Sequence, residues 1–453
     1  MIHESTDSLQ QASVDDLVYT AVFSGNAAAK AEARKQIHLR ARQAGAVPSS
    51  ILPLYRALGR GEVTRKFTVP AFNIRALTYD VARALFRAAM RHDVGPFIFE
   101  IARSEIGYTE QRPGEYAACV LAAALAEGYK GPVFIQGDHF QASAKKWATP
   151  DGKAAEVKAL ESLIDEAIAA EFYNIDIDTS TLVDLDFPTR DEQQRENYTY
   201  TAHFTKYIRE RQPEGIEISI GGEIGEVGKY NTQPDEVRAY IDGVRRELGG
   251  DPGMAKISVQ TGTSHGGVPM ADGSIAEAKI DFDVLRETTR ICREEYGIAG
   301  SVQHGASTLP EAVFNNFPEN DAVEIHLATG FQNMILDAET LPASMKDEIR
   351  TFCFAHCADE RKDGETDEQF VYKTRKKAIG PFKRRMWELD DAAKKPIIDA
   401  MEQKFEFLME KLAVYGTRDL VDRTIATNAA LPEYAAASAE LTAAAVVDPN
   451  EGE

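Results

Sequence analysis

Three histidines have the residue type and placement to hold a metal ion. They are His139 in VFIQGDH, His265 in ISVQTGTSHGG and His304 in SVQHGAS, and each closes a short apolar run beside a glycine or an acid. The chain has nine histidines, so a third of them stand at the ends of such runs. Neutral imidazole is the commonest metal ligand, and three imidazoles with one open position describe a catalytic zinc site. Asp138, next to His139, offers a carboxylate that could exchange a proton with a substrate hydroxyl near the metal; an aspartate capping the next helix is an equal alternative. On an extended strand Asp138 points away from His139, although both stand at its end. Glu223 in GGEIGEVG can bind the metal or orient a ligand imidazole, or be a solvated loop glutamate. Glycines and small residues around His265 let backbone amides approach an anion. After His304, Gly305 and Ser307 offer donors, and Leu309-Pro310-Glu311 predicts a helix whose N-terminus faces the site. Thr329 and Gly330 in HLATGFQN lead into a further helix. One such histidine is more often a satisfied core residue; three, each in glycine-rich sequence, reverse that reading.

Residues this far apart converge only if the fold brings run ends together. Apolar runs cover 67–73, 94–102, 131–139, 172–180, 215–223, 256–264, 299–305 and 322–330, with helix-period segments between them. Eight strand–helix units predict parallel strands closed into an α/β (β/α)₈ TIM barrel, whose strand C-termini open on one face. Polar residues collect at those ends: Asn73, Asp138, Asp178, Glu223, Ser264, His304 and His326. Residues 1–62 read as a helical N-terminal extension, 63–338 as the barrel and 339–435 as a helical C-terminal extension. The Ala-rich, acidic 436–453 reads as a disordered tail.

The formal charge is −21, from 72 acidic and 51 basic residues. This excludes a nucleic-acid surface, which needs a basic field, but not a small phosphorylated ligand in a locally positive pocket. No signal peptide and no apolar run of membrane-spanning length is present, so a cytoplasmic protein with no membrane partner is expected. The four cysteines, Cys119, Cys292, Cys353 and Cys357, are too sparse for a disulfide framework. Cys353, His356 and Cys357 in CFAHC read as ordinary helix residues rather than a metal clip.

In order along the chain, PAFN (70–73), GDH (137–139), IDIDTS (175–180), GEIG (222–225), GTSHG (262–266), HGAS (304–307) and LAT (327–329) resemble the class II, metal-dependent ketose-bisphosphate aldolases. The likeness runs from about Pro70 to Gln332. It implies that His139, His265 and His304 are zinc ligands and that Asp138 is the acid/base on the hydroxyl at the cleaved carbon. Asp178 and Glu223 are then inner carboxylates that position the metal or bind an alternative buried ion. Gly266, Gly305, Ser307 and Thr329 become phosphate contacts, and Asn73 and His326 face substrate. The implied cofactor is Zn²⁺ or another divalent metal, with a monovalent cation as a further expectation. The implied activity is reversible cleavage of a phosphorylated ketose, such as fructose 1,6-bisphosphate, to dihydroxyacetone phosphate and an aldehyde. A place in glycolysis or carbohydrate metabolism and a homodimer or homotetramer follow from the same likeness.

The departures from the pattern are specific. The loop after the fifth strand reads Gly228-Lys229-Tyr230-Asn231-Thr232, without the family's acid, and Glu226 is the nearest substitute for the second acid/base. On the eighth strand Glu324 and His326 replace lysine and asparagine, reversing one charge. The second strand ends in EIARSEIGY, where Arg103 and Ser104 offer a different substrate contact. These changes admit a zinc-dependent epimerase or isomerase on the same barrel, or a non-catalytic aldolase-like subunit.

Overall fold

The structure is a computed structural model that describes residues 2, 5–224, 230–262, 280–307 and 309–426. Among these, nine strands form one sheet: β1 (Ala46–Pro48), β2 (Val69–Asn73), β3 (Ile98–Ala102), β4 (Gly131–Gln141), β5 (Asn174–Asp178), β6 (Ser219–Glu223), β7 (Lys256–Ser258), β8 (Ser301–Gln303) and β9 (Glu324–Leu327). The order β4-β3-β2-β9-β8-β7-β6-β5 closes through β4–β5 pairing, and every pairing is parallel. This is the (β/α)₈ barrel that the eight alternating units predict. Val69, Phe72, Phe99, Ile135, Ile175, Ile220, Ile257 and Ile325 are fully buried, as strands covered on both faces require.

The helices between strands follow the predicted segments: Thr78–Arg91, Pro113–Glu127, Pro150–Ala169, Arg195–Arg211, Pro234–Glu247 and Phe282–Ile291. Asp281 caps the last of these by accepting from the Asp283 amide. The helix expected after His304 is only a 3₁₀ turn, Glu311–Val313, followed by the single turn Asn316–Glu319. Pro318 has no amide hydrogen and its ring crowds the carbonyl four residues earlier, so one helix cannot run on from Glu311 through this stretch.

β1 is a departure from the all-helical reading of residues 1–62. Ala46, Val47 and Pro48 pair with Gly131, Pro132 and Val133 at the start of β4. The helix Leu52–Gly59 follows directly and sits at the N-terminal, closed end of the barrel. Asn174 ties it there: its Oδ1 accepts from the Ile51 amide at 2.9 Å, and its Nδ2 donates to the Ser49 and Ile135 carbonyls. At the C-terminal side, Asp391–Lys411 packs on Thr78–Arg91 and buries Ile397, Met401, Phe405 and Leu408. Phe405 meets Phe72 at 5.1 Å between ring centroids, so this helix reaches the barrel wall. No described helix is long and apolar enough to cross a membrane. All four cysteines are free and buried.

Candidate active site

The strand ends bring His139, Asp138, Asp178, Glu223, His304 and His326 together at the open mouth. β4 carries a bulge: its register to β5 slips between Gly137 and Phe140, and His139 takes a left-handed φ of 39°. One extra residue on one strand reverses the alternation beyond it. Asp138 and His139 therefore both face the lumen, against the sequence expectation that they alternate. The outward side records the same event. Phe140 shares it with Gly137, where a Cβ would lie 2.4 Å from the Phe140 ring.

His139 Nδ1 lies 3.1 Å from Asp178 Oδ2 and 3.0 Å from Glu223 Oε2. Its ring centroid is 4.3 Å from that of His304. Asp138 Oδ1 is 3.5 Å from His304 Nε2 and 3.8 Å from His139 Nε2. Asp178 is fixed by the Ser180 hydroxyl at 2.6 Å, the Ser180 amide at 3.0 Å and Gln141 Nε2 at 2.6 Å. These donors fit a divalent metal. Asp138, His139 and His304 each offer an atom within 4.8 Å of the others, as do His139, Asp178 and Glu223. Asp138 Oδ1 is buried without a hydrogen-bond partner among the described residues, and imidazole with carboxylate suits zinc and its neighbours. His265, Gly266 and Glu226 lie outside the described residues.

The cluster polarises itself. Burial alone would raise Asp138, but His139 and His326 hold it well below the usual carboxylate range. Burial likewise opposes ionisation of Asp178, yet His139 and Ser180 bring it to about 2. Burial lowers every imidazole here. Neighbouring carboxylates outweigh it at His139 and His326, which are raised, whereas His304, beside both of those rings, is pushed well down.

The loops for which phosphate contacts are expected also meet. Ser307 Oγ accepts from the Gly330 amide at 3.1 Å, at the start of the helix Thr329–Leu336. Gly305 adopts a φ of 67° next to His304, the left-handed conformation that glycine takes without strain. Thr329 is buried at the same helix start. Asn73 is buried at the end of β2, with Nδ2 donating to Glu105 Oε2 at 2.7 Å and Oδ1 without a hydrogen-bond partner among the described residues. Arg103 is taken up by a salt bridge to Glu156 and the Gln141 carbonyl, so the substrate contact expected of it gives way to a wall contact.

Below the mouth lies a polar layer that the sequence reading missed. Lys256 Nζ donates to Gln136 Oε1 at 2.8 Å, to Asp176 Oδ2 at 2.9 Å and to Glu324. Tyr55, from the helix closing the barrel floor, donates to the other oxygen of Glu324. The charge reversed at Glu324 is thus matched by a lysine on another strand. Gln136/Asp138, Asp176/Asp178 and Glu324/His326 are each two apart, which is the period of one strand face; that spacing was the available signal. Glu100, alone in FIFEIA, carries no such signal. It is pushed up to about 8, chiefly by burial and against the pull of His326. At the rim, Arg75 pairs with Glu105 and donates to Gln332 Oε1 at 3.0 Å.

The sequence profile described as fructose-bisphosphate aldolase class-II matches residues 61–410. The comparison with curated proteins finds no match. Among solved structures, the fructuronate-tagaturonate epimerase of Cohnella laeviribosi is 11% identical with a TM-score of 0.53, covering 89% of this chain and 90% of its own. A probable tagatose 6 phosphate kinase from Sinorhizobium meliloti 1021 is 15% identical with a TM-score of 0.51, covering 84% and 97%. Fructose-bisphosphate aldolase from Campylobacter jejuni is 17% identical with a TM-score of 0.47, covering 82% and 96%. At these identities the structural likenesses speak to the fold alone.

Proposed function

Because the chain belongs to the class II fructose-bisphosphate aldolase family, we propose that it is a divalent-metal-dependent aldolase acting on a phosphorylated ketose. The observation that carries this reading is the bulge in β4, which turns Asp138 and His139 together into a mouth shared with His304, Asp178 and Glu223. His139 and His304 would hold the metal, with His265 as the third imidazole. A metal bound there supplies Lewis acidity at a ketone oxygen.

The chain's own residues supply the rest. Asp138, held ionised by its imidazole neighbours, accepts the hydroxyl proton of the carbon that becomes the aldehyde. The carbon–carbon bond breaks and its electron pair moves toward the ketone. The carbon left behind takes a proton from a second acid, for which Glu226 is the sequence candidate. Asp178 and Glu223 fix the His139 ring from behind, as carboxylates do for metal-binding imidazoles. The Ser307–Gly330 junction, where barrel loops seven and eight meet, is the place for the substrate phosphate.

A second reading, epimerisation, uses the same first step and returns the aldehyde to the opposite face. His326 favours it: the imidazole, 3.2 Å from Asp138 Oδ1, adds a second proton-handling group in the site. The test is incubation of the Zn²⁺- or Mn²⁺-loaded chain with fructose and tagatose 1,6-bisphosphates. Release of triose phosphate in a coupled assay supports the aldolase. Interconversion of the two sugars without release supports the epimerase, and neither change in a metal-loaded, folded chain sinks the proposal.

A further inference from the structure

We propose that Glu100, Asp138 and His326 form a second divalent-cation site inside the barrel, joined to the histidine mouth through Asp138. Their donor atoms lie within 4.8 Å of one another. His326 Nδ1 is 2.9 Å from Glu100 Oε2 and 3.2 Å from Asp138 Oδ1. Those distances are ion-pair contacts, but neither is aligned as a hydrogen bond. His326 Nδ1, Asp138 Oδ1 and Glu100 Oε1 are all buried without a hydrogen-bond partner among the described residues. The three residues are 4%, 4% and 0% exposed. Buried polar atoms are nearly always satisfied, and a cation among these three is a partner that serves all of them.

The other side of the His326 ring fixes which nitrogen is available. Nε2 faces Glu324 Oε1 at 2.7 Å. Glu324 already receives Lys256, Gln136 Nε2 and Tyr55. A carboxylate ringed by donors is ionised and can only accept, so Nε2 carries the proton. Burial disfavours a charged ring, but without a metal the flanking carboxylates hold it protonated; a cation displaces the Nδ1 proton and takes that lone pair together with Glu100 and Asp138. A histidine that donates its far N–H to an anchored carboxylate is the usual arrangement of a metal ligand. Charge points the same way. The layer gathers four carboxyl groups, Glu100, Asp138, Asp176 and Glu324, around Lys256 and His326, and a divalent cation can take over the charge balance that protons on Glu100 and His326 otherwise supply.

Two oxygens and one imidazole suit Mn²⁺, Fe²⁺ or Zn²⁺ better than Ca²⁺. Asp138, which belongs to both groups, would be the ligand common to the two sites. The inference does not depend on the substrate assigned above, only on the side chains themselves.

The full-length chain, stripped with a chelator, is titrated with Mn²⁺ and followed by electron paramagnetic resonance and elemental analysis. Two ions per chain are expected, with an exchange-coupled spectrum. Glu100→Gln and His326→Gln should each reduce this to one uncoupled ion. His304→Ala should also leave one ion, the inner one. A single uncoupled ion in the wild type, or two ions retained in both inner-site variants, overturns the second site. If that single ion is lost on His304→Ala, the mouth assignment survives; if no ion binds at all, both fall. Circular dichroism confirms folding, and the wild-type coupled spectrum decides the matter should a variant fail to fold.

Discussion

Asp138 stands where the proton, the imidazoles and the interior layer meet, so its replacement is the most informative single change. Asp138→Asn preserves shape and removes the basic oxygen. If the proposed activity holds, turnover of the metal-loaded chain is expected to fall by about 10²–10⁴, the usual contribution of a general acid/base, while far-ultraviolet circular dichroism is unchanged. Full turnover would remove Asp138 from the chemistry. The sequence exposed Asp138 and His139 as a pair because GDH ends an apolar run. It did not expose that both face the lumen, since the bulge depends on how β5 registers against β4 and no local residue pattern states that. Lys256 was illegible for a different reason. It opens the run KISV, where a lysine reads as a solvated strand start, and only closure of the barrel puts it beside Asp176 and Glu324.

At the level of elements, the interior layer is set by what β6 omits. A Cβ on Gly221 would lie 2.2 Å from Asp176 Oδ1 and 2.9 Å from Lys256 Cε. Gly221→Ala should therefore push this buried ion pair apart and destabilise the chain by roughly 1–3 kcal/mol, the range for overpacking. A urea denaturation midpoint equal to that of wild type would contradict this role. The floor helix Leu52–Gly59 acts through Tyr55. Tyr55→Phe keeps the ring in place and takes one donor from Glu324, and the expected loss is about 1.5–3 kcal/mol, as for a hydrogen bond to a charged group. Chemical unfolding of the two proteins side by side measures it. Helix periodicity made most of the barrel helices legible. The strand Ala46–Pro48 escaped because three residues between a helix-ending Gly45 and a serine pair carry too little pattern to distinguish strand from loop.

For the molecule as a whole, buried neutral groups set the alkaline limit. Burial pushes the Cys292 thiol up to about 12 against a weaker opposing effect of Arg293, and the Tyr129 phenol, also by burial and against Arg418, to about 12. Both groups lose their protons more easily in the unfolded chain, near pH 9 and pH 10 respectively. Between those values and pH 12 the folded state binds more protons, so stability is complete below about pH 9 and declines as pH rises. Cys292 alone should cost about 1 kcal/mol by pH 10. Urea midpoints at pH 8, 9 and 10 should fall in that order, and Cys292→Ser should flatten the trend; a rising series would reverse the assignment.

The pairing of Ala46 with Gly131, and of Val69 with Glu324, has a consequence for the chain as it leaves the ribosome. β1 is synthesised well before its partner strand, and the cylinder cannot close until β9 has emerged. Such distant contacts make folding slow, and until closure the apolar strands wait with open edges. The helix Leu52–Gly59, made early and seated at the barrel floor in the finished protein, is the described element placed to cover one end of that sheet.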